Sequence, residues 1–123
     1  MSKKILIADD EPMVLNQLKL RLVAEGFQVI QASDGAEAVQ KARSERPDLI
    51  ILDILMPGMD GVDAATALKD HAETKDIPLI FLTAIQTKAG EREQGHMMGK
   101  NLIFAKPFDG KELVDNIRKS IRG

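Results

Sequence analysis

The run from Leu49 to Asp53 constrains the fold most, because four consecutive aliphatic residues lead directly into an acid. Pro47 precedes the run, and Pro57 and Gly58 follow it closely. An unbroken apolar run with such boundaries predicts a strand buried on both faces, as in the middle of a parallel sheet. An ionised carboxylate at the end of a buried strand loses hydration and needs a partner. Asp53 is therefore either a capped structural acid or the centre of a site.

Further short apolar runs predict strands at residues 5–8, 27–32, 78–82 and 102–105. Amphipathic patterns between and after the strands predict helices that begin near residues 12, 34, 61, 88 and 109. The third of these helices has Ala65, Leu68 and Ala72 on one face. The fourth, at about residues 88–98, is the weakest, because it contains glycines, and each interior glycine costs a helix about 1 kcal/mol.

Strands that alternate with helices predict parallel pairing and right-handed crossovers. The expected fold is a three-layer α/β/α sandwich around a five-stranded parallel sheet, built from five βα units. The flavodoxin-like strand order 2-1-3-4-5 is expected, partly from the fold type, because spacing alone does not fix the order. A chain of 123 residues is long enough for one domain, residues 1–123, and too short for two.

Composition excludes several classes of protein and site. The chain has no cysteine, so disulfides and thiolate metal sites are excluded. A formal net charge of −2 provides no basic surplus for direct binding to nucleic acid. The first apolar run has only four residues, too few for a signal peptide or a membrane span. We therefore predict a soluble, cytoplasmic protein that is not inserted in a membrane.

Polar side chains follow four of the five predicted strands at the point where each strand ends. They are Asp9 and Asp10 after the first strand, Asp53 at the third, Thr83 at the fourth and Lys106 at the fifth. Because parallel strands end at one edge of the sheet, these side chains should converge. Clustered carboxylates repel one another unless a cation joins them, and Mg²⁺ suits an oxygen-rich site with open positions. A Mg²⁺ ion, a hydroxyl and an ammonium together can hold a phosphoryl group, and a carboxylate beside them can accept it as a nucleophile. Asp53 is the best placed carboxylate for this role, because it ends the central strand.

These residues stand in four longer motifs in the same order, at residues 7–12, 52–61, 82–84 and 106–108. In this combination the whole chain resembles a response-regulator receiver domain of two-component signalling, similar to the chemotaxis regulators. The resemblance implies a signalling module rather than an enzyme acting on a free substrate. It also implies phosphoryl transfer from a histidine kinase or a histidine phosphotransfer protein. The output partner is not identified, and the chain would act as a monomer or as a phosphorylation-dependent homodimer.

The resemblance assigns a role to each acid of the predicted site. Asp53 would accept the phosphoryl group. Asp10 and Asp53 would bind Mg²⁺ together with the backbone carbonyl of Leu55, and Asp9 would act mostly through water. Leu55 and Ile85 occupy two positions that often tune hydrolysis in this family. Because both are apolar, we expect them to restrict the attacking water and to slow loss of the phosphoryl group.

The resemblance also assigns roles at the fourth and fifth strands. Thr83 and Lys106 would bind the phosphoryl oxygens, with help from the backbone N–H groups of Leu55 and Ala84. A cis peptide bond before Pro107 would aim Lys106 into the site. The family usually has an aromatic residue where this chain has Ile103. The neighbouring Phe104 should point to the opposite face of the sheet, so output is expected to depend more on backbone shifts.

Three alternative functions are compatible with the same fold. A degenerate receiver would bind partners without phosphate, although all five predicted side-chain site residues are present. An aspartyl-phosphate hydrolase usually has a second acid where this chain has Leu55, and it has cap insertions for which this chain has no room. A flavin or nucleotide binder would favour a first loop rich in Gly or in Ser and Thr. The loop Asp9–Pro12 is acidic instead and would repel phosphate unless a metal intervened.

Overall fold

The computed structural model describes residues 3–54, 56, 58–83, 96–98, 101–105 and 109–122. For residues 96–98, 101, 102, 105 and 122 it describes the backbone. The strands are β1 (Lys4–Ala8), β2 (Gln28–Ala32), β3 (Leu49–Asp53), β4 (Leu79–Thr83), β5 (His96–Met98) and β6 (Asn101–Ala105). The helices are α1 (Pro12–Ala24), α2 (Gly35–Glu45), α3 (Gly61–Lys69) and α4 (Gly110–Arg122).

The strands form one sheet with the order β2-β1-β3-β4-β6-β5. Strands β2, β1, β3, β4 and β6 pair in parallel. Since β6 is the fifth predicted strand, the predicted parallel order 2-1-3-4-5 is confirmed. The central position of β3 is confirmed as well, and all its residues are buried.

The edge strand β5 corrects the prediction of a helix at about residues 88–98. His96–Met98 form a strand that pairs antiparallel with β6, and Met98 lies opposite Asn101. Only two residues separate these strands in the sequence, and antiparallel strands can be joined by so short a connection. The hairpin satisfies backbone groups that β6 would otherwise leave unpaired at the sheet edge. Residues 88–95 of the predicted helix lie outside the described part of the chain.

Two apolar layers cover the sheet, one on each face. On one face α1 and α4 pack against β1, β3, β4 and β6, with the side chains of Leu18, Leu22, Leu113, Val114 and Ile117. On the other face α2 and α3 contribute mainly alanines to the core, namely Ala38, Ala42, Ala64 and Ala65, together with Leu68. The predicted three layers are therefore present. None of the described helices has the length and apolar character needed to cross a bilayer.

Helix α3 ends earlier than predicted. Its last residue is Lys69, so Ala72, which was expected on its buried face, is exposed in the following turn. The buried hydroxyl of Thr74 donates a hydrogen bond of 2.6 Å to the carbonyl oxygen of Leu68. This contact adds a side-chain donor to one of the last carbonyl groups of the helix, which also accepts from the backbone N–H of His71 at 3.4 Å, and so it stabilises the early end.

Glu37 stabilises the start of α2 through contacts on both sides. One carboxylate oxygen accepts hydrogen bonds from the backbone N–H of Ser33 at 2.8 Å and from the Ser33 hydroxyl at 3.0 Å. The other oxygen lies 2.9 Å from the ammonium group of Lys41. These contacts lower the pKa of Glu37 from 4.5 to about 2. The hydrogen bond from the Ser33 backbone N–H is the largest cause, and the contact with Lys41 is the next.

We expect Glu37→Gln to remove a pH-dependent contribution to stability. The folded-state pKa lies below the ordinary value, so the contribution is present above pH 4.5 and is lost as the pH falls toward 2. Because the side chain is 35% exposed, solvent screening reduces this contribution to about 1 kcal/mol at pH 7. Urea unfolding of both proteins between pH 7 and 3 measures it. A difference that stays constant across this range would contradict the expectation.

Candidate functional site

Four carboxylates lie together at the carboxyl edge of the sheet. Asp9 directly follows β1 and Asp53 ends β3, and both are buried. Asp10 and Glu11 precede α1 and are exposed. One carboxylate oxygen from each residue lies within 4.8 Å of those of the other three. The structure therefore brings together the three acids that the sequence predicted and adds Glu11.

The register of β1 and β3 explains why the two buried acids are neighbours. Ala8 pairs with Leu52, and each of these residues is followed in the sequence by an aspartate, Asp9 after β1 and Asp53 at the end of β3. Asp9 also accepts a 2.9 Å hydrogen bond from the backbone N–H of Glu11 through its carboxylate. This local contact tightens the turn before α1 and keeps Glu11 close to Asp9. Sequence reasoning missed Glu11 because it considered only the residues at the strand ends.

Strand β4 brings Thr83 to the same edge. Leu82 pairs with Asp53, and the backbone N–H of Ile54 donates to the carbonyl oxygen of Leu82 at 2.8 Å. Thr83 is the last residue of β4, and it is 7% exposed. It pairs with Ala105, the last residue of β6. The convergence of strand ends predicted for Asp53 and Thr83 is therefore present.

Several predicted site residues lie outside the described part of the chain. They are Leu55, Ala84, Ile85, Lys106 and Pro107. Lys106 directly follows β6 in the sequence, and β6 lies parallel to β4 at the same edge. Its place in the site therefore remains a prediction.

Ile103 and Phe104 lie on opposite faces of β6, as the alternation predicted. Phe104 is fully buried in the core that α1 and α4 cover. Ile103 is half-buried and packs against the core that α2 and α3 cover. Phe104 therefore lies in a different layer from Ile103, the residue at the position where the family usually has an aromatic side chain.

The start of α3 is held tightly against the end of β3. The backbone N–H of Gly61 donates to the carbonyl oxygen of Ile54 at 3.0 Å. A Cβ atom at Gly61 would lie 2.2 Å from the carbonyl oxygen of Asp53. Only glycine permits this approach, so the first residue of α3 lies directly against the backbone of the central acid.

The donor set fits a hard divalent cation. Carboxylate oxygens are the ligands that Mg²⁺ prefers, and Mg²⁺ usually keeps several waters or phosphate oxygens beside one or two protein carboxylates. Here two acids are buried and two are exposed, so the cluster reaches from the sheet edge to solvent. A cation at this point would offset the mutual repulsion of the carboxylates.

Comparison with known proteins identifies the family. The family model of the response regulator receiver domain matches residues 5–118. The chain is a response regulator receiver domain. The response regulator PleD of Caulobacter vibrioides is 38% identical over 122 residues, which are 99% of this chain and 27% of that protein. The alkaline phosphatase synthesis transcriptional regulatory protein PhoP of Bacillus subtilis is 35% identical over 99% of this chain and 50% of that protein.

Solved structures agree with the receiver family and fold. A response regulator from Chloroflexus aurantiacus superposes with a TM-score of 0.86 at 31% identity, covering 100% of both chains. The receiver domain of the sensor histidine kinase PA1611 from Pseudomonas aeruginosa gives a TM-score of 0.86 at 30% identity over 100% of both chains. That structure is described with a magnesium ion coordinated in the active site cleft.

The family assignment favours one of the functions that the sequence left open. This receiver domain belongs to two-component signalling and is consistent with control by phosphorylation. Neither the hydrolase nor the phosphate-independent alternative is favoured by these relatives. The receiver domain spans between about a quarter and a half of the length of PleD and PhoP.

Proposed function

We propose that this receiver domain accepts a phosphoryl group on Asp53 from a phosphohistidine of a histidine kinase or histidine phosphotransfer protein. The observation that carries the proposal is the position of Asp53, buried at the end of the central strand within a group of four carboxylates. A carboxylate oxygen of Asp53 attacks phosphorus, and the bond from phosphorus to the histidine nitrogen breaks. The electron pair of that bond leaves with the imidazole, which takes up a proton.

The acids around Asp53 would hold the cation that this transfer needs. Asp10 and Asp53 would supply carboxylate ligands, the backbone carbonyl of Leu55 would supply a third ligand, and Asp9 would act mostly through water. When bound, Mg²⁺ neutralises charge on the phosphoryl oxygens. The acidic cluster and the magnesium ion described in the Pseudomonas aeruginosa domain both support this assignment.

Thr83 and Lys106 would bind the transferred group. The hydroxyl of Thr83 donates a hydrogen bond to a phosphoryl oxygen, and the ammonium of Lys106 pairs with another. The aspartyl phosphate carries about −1.5 to −2 charges where the carboxylate had one. Movement of Thr83 toward this charge would shift the loop after β4 and change the surface offered to an output partner. Such coupling is typically worth about 1–3 kcal/mol.

The proposal is tested by incubating the protein with a small phosphodonor such as phosphoramidate, with Mg²⁺ or with EDTA. Intact-mass measurement should show addition of one phosphoryl group only with Mg²⁺. Hydroxylamine should remove that group, because it cleaves acyl phosphates, and peptide mapping should place it on Asp53. No addition with Mg²⁺, or a product that resists hydroxylamine, would overturn the proposal.

The same preparation tests the expectation that Leu55 slows self-dephosphorylation. An apolar side chain two residues after Asp53 offers no hydrogen bond to an attacking water. We expect Leu55→Asn to shorten the lifetime of the phosphorylated protein by about fivefold, as expected for one hydrogen bond of about 1 kcal/mol. The matched control is Leu20→Asn, because Leu20 is an exposed residue of α1. Equal lifetimes for wild type and Leu55→Asn would show that Leu55 has no such role.

A further inference from the structure

Three of the four helices in the described part of the chain begin in the same way, with an aspartate followed by a glycine. The side chains of Asp34, Asp60 and Asp109 each accept a hydrogen bond from the backbone N–H three residues later, at 2.8, 2.8 and 3.1 Å. The first helical residues are then Gly35 of α2, Gly61 of α3 and Gly110 of α4. Capping explains the aspartates, but it does not explain the glycines.

The surroundings of the three glycines differ. A Cβ atom at Gly35 would lie 2.2 Å from the carbonyl oxygen of Met59 and 2.9 Å from its carbonyl carbon. At Gly110, the nearest atoms would be those of the flexible Arg21 side chain, at 3.4 Å, an ordinary contact. The start of α2 therefore touches the main chain of the connection between β3 and α3. Among the described residues, the start of α4 has no comparable contact with main chain.

A short series of contacts links Gly35 to the site. Met59 is two residues before Gly61, and the backbone N–H of Gly61 is bonded to the carbonyl oxygen of Ile54. Gly61 also lies against the carbonyl oxygen of Asp53. Met59 is therefore only two residues from the glycine that contacts the end of β3, so a displacement of the Met59 main chain would disturb that contact.

We propose that Gly35 is a positioning residue for phosphoryl transfer. Without a side chain at this position, α2 supports the Met59 main chain and so keeps the connection closed against the backbone of Asp53. Gly35 has no contact with the phosphoryl group in this proposal. The inference rests on the proposed function of Asp53.

The size of the effect follows from the distances. Contacts of Cβ atoms below 3.0 Å essentially do not occur, so a methyl group at residue 35 requires a shift of nearly 1 Å from the distance of 2.2 Å. The atom that must move is backbone rather than the end of a flexible side chain. A misplacement of about 1 Å at the reacting groups can cost about 100-fold in rate. We expect Gly35→Ala to lose at least tenfold, because part of the shift is absorbed before it reaches Asp53.

The experiment measures the phosphorylation rate constant at saturating Mg²⁺ and phosphoramidate, at a temperature where circular dichroism shows each protein fully folded. The concentration of Mg²⁺ that gives half the maximal rate is measured separately. A purely structural role would lower the melting temperature without changing the rate constant of the folded protein. The positioning role lowers that rate constant.

Three further variants, two of them controls, distinguish the effect of the Met59 contact from the effect of adding a methyl group and from a loss of stability. Gly110→Ala introduces the same methyl group at the first residue of α4 and should keep the wild-type rate. Asp34→Ala removes the cap of α2 without adding a clash and loosens the first turn that supports Met59, so its rate should fall several-fold. Ile117→Val weakens the core on the opposite face of the sheet to a similar extent and should keep the wild-type rate.

Each outcome supports or overturns the proposal. A folded Gly35→Ala protein with the wild-type rate constant would overturn it while leaving the function of Asp53 intact. If Gly35→Ala does not fold, Asp34→Ala decides, and a rate equal to that of Ile117→Val overturns the proposal. If the wild-type protein itself accepts no phosphoryl group, the proposed function fails, and the positioning role fails with it.

Discussion

Asp53→Asn is expected to abolish phosphoryl acceptance while preserving the fold. The asparagine amide has nearly the same shape as the carboxylate, but it is not a nucleophile that can form an acyl phosphate. We expect the rate of phosphoryl addition to fall by more than about 100-fold, below detection by intact mass. The strand should remain in place, because the other residues of β3 are fully buried aliphatic side chains.

The matched control for this substitution is Asp76→Asn. Asp76 is an exposed acid before β4, so the change in charge and atoms is the same away from the carboxyl edge of the sheet. It should accept one phosphoryl group at the wild-type rate. Undiminished acceptance by Asp53→Asn, with a melting temperature like that of wild type, would place the acceptor elsewhere.

Gly61→Ala is expected to destabilise the protein strongly, although it adds only one methyl group. By helix propensity alone it would stabilise α3 by about 1 kcal/mol. The new Cβ would instead lie 2.2 Å from the carbonyl oxygen and 2.9 Å from the carbonyl carbon of Asp53. Since both neighbours are backbone of a fully buried strand, we expect a net loss of about 3 kcal/mol in the free energy of unfolding.

The same substitution should also slow phosphorylation by about 100-fold in the protein that remains folded, because it moves the reacting carboxylate itself. Urea unfolding and the phosphoramidate assay measure the two effects. Gly110→Ala is again the control, and it should leave both quantities near their wild-type values. A stabilised Gly61→Ala protein would show that helix propensity outweighs the contact with β3.

The positions of most secondary-structure elements could be predicted because the signals are local. The unbroken apolar run from Leu49 up to Asp53 indicates a buried strand, and the proline at the start of α1 indicates a helix start. Both signals depend only on residues that are neighbours in the sequence. The strand β5 could not be predicted in this way. Its three residues are ordered as a strand by pairing with β6 at the sheet edge, which outweighs the weak helical pattern of the segment. The end of α3 at Lys69 likewise depends on a side-chain contact from Thr74.

The sequence predicted that the candidate site is made of carboxylates, but it did not predict every residue that contributes one. Asp9, Asp10 and Asp53 were found because parallel strands bring their carboxyl ends together, and that rule needs no distances. Glu11 was missed, although it directly follows Asp10. Its carboxylate joins the group because the turn before α1 is closed by a hydrogen bond to Asp9.

The sequence by itself determined where the helices α2, α3 and α4 begin, because an aspartate cap acts on the backbone of its own first turn. It could not tell which of the glycines after those aspartates are required. Only the tertiary structure decided this, by placing the backbone of Met59 against Gly35, that of Asp53 against Gly61 and a movable arginine side chain against Gly110. The physical reason is that a cap depends on neighbours in the chain, whereas the space available to a Cβ atom depends on segments that fold against it.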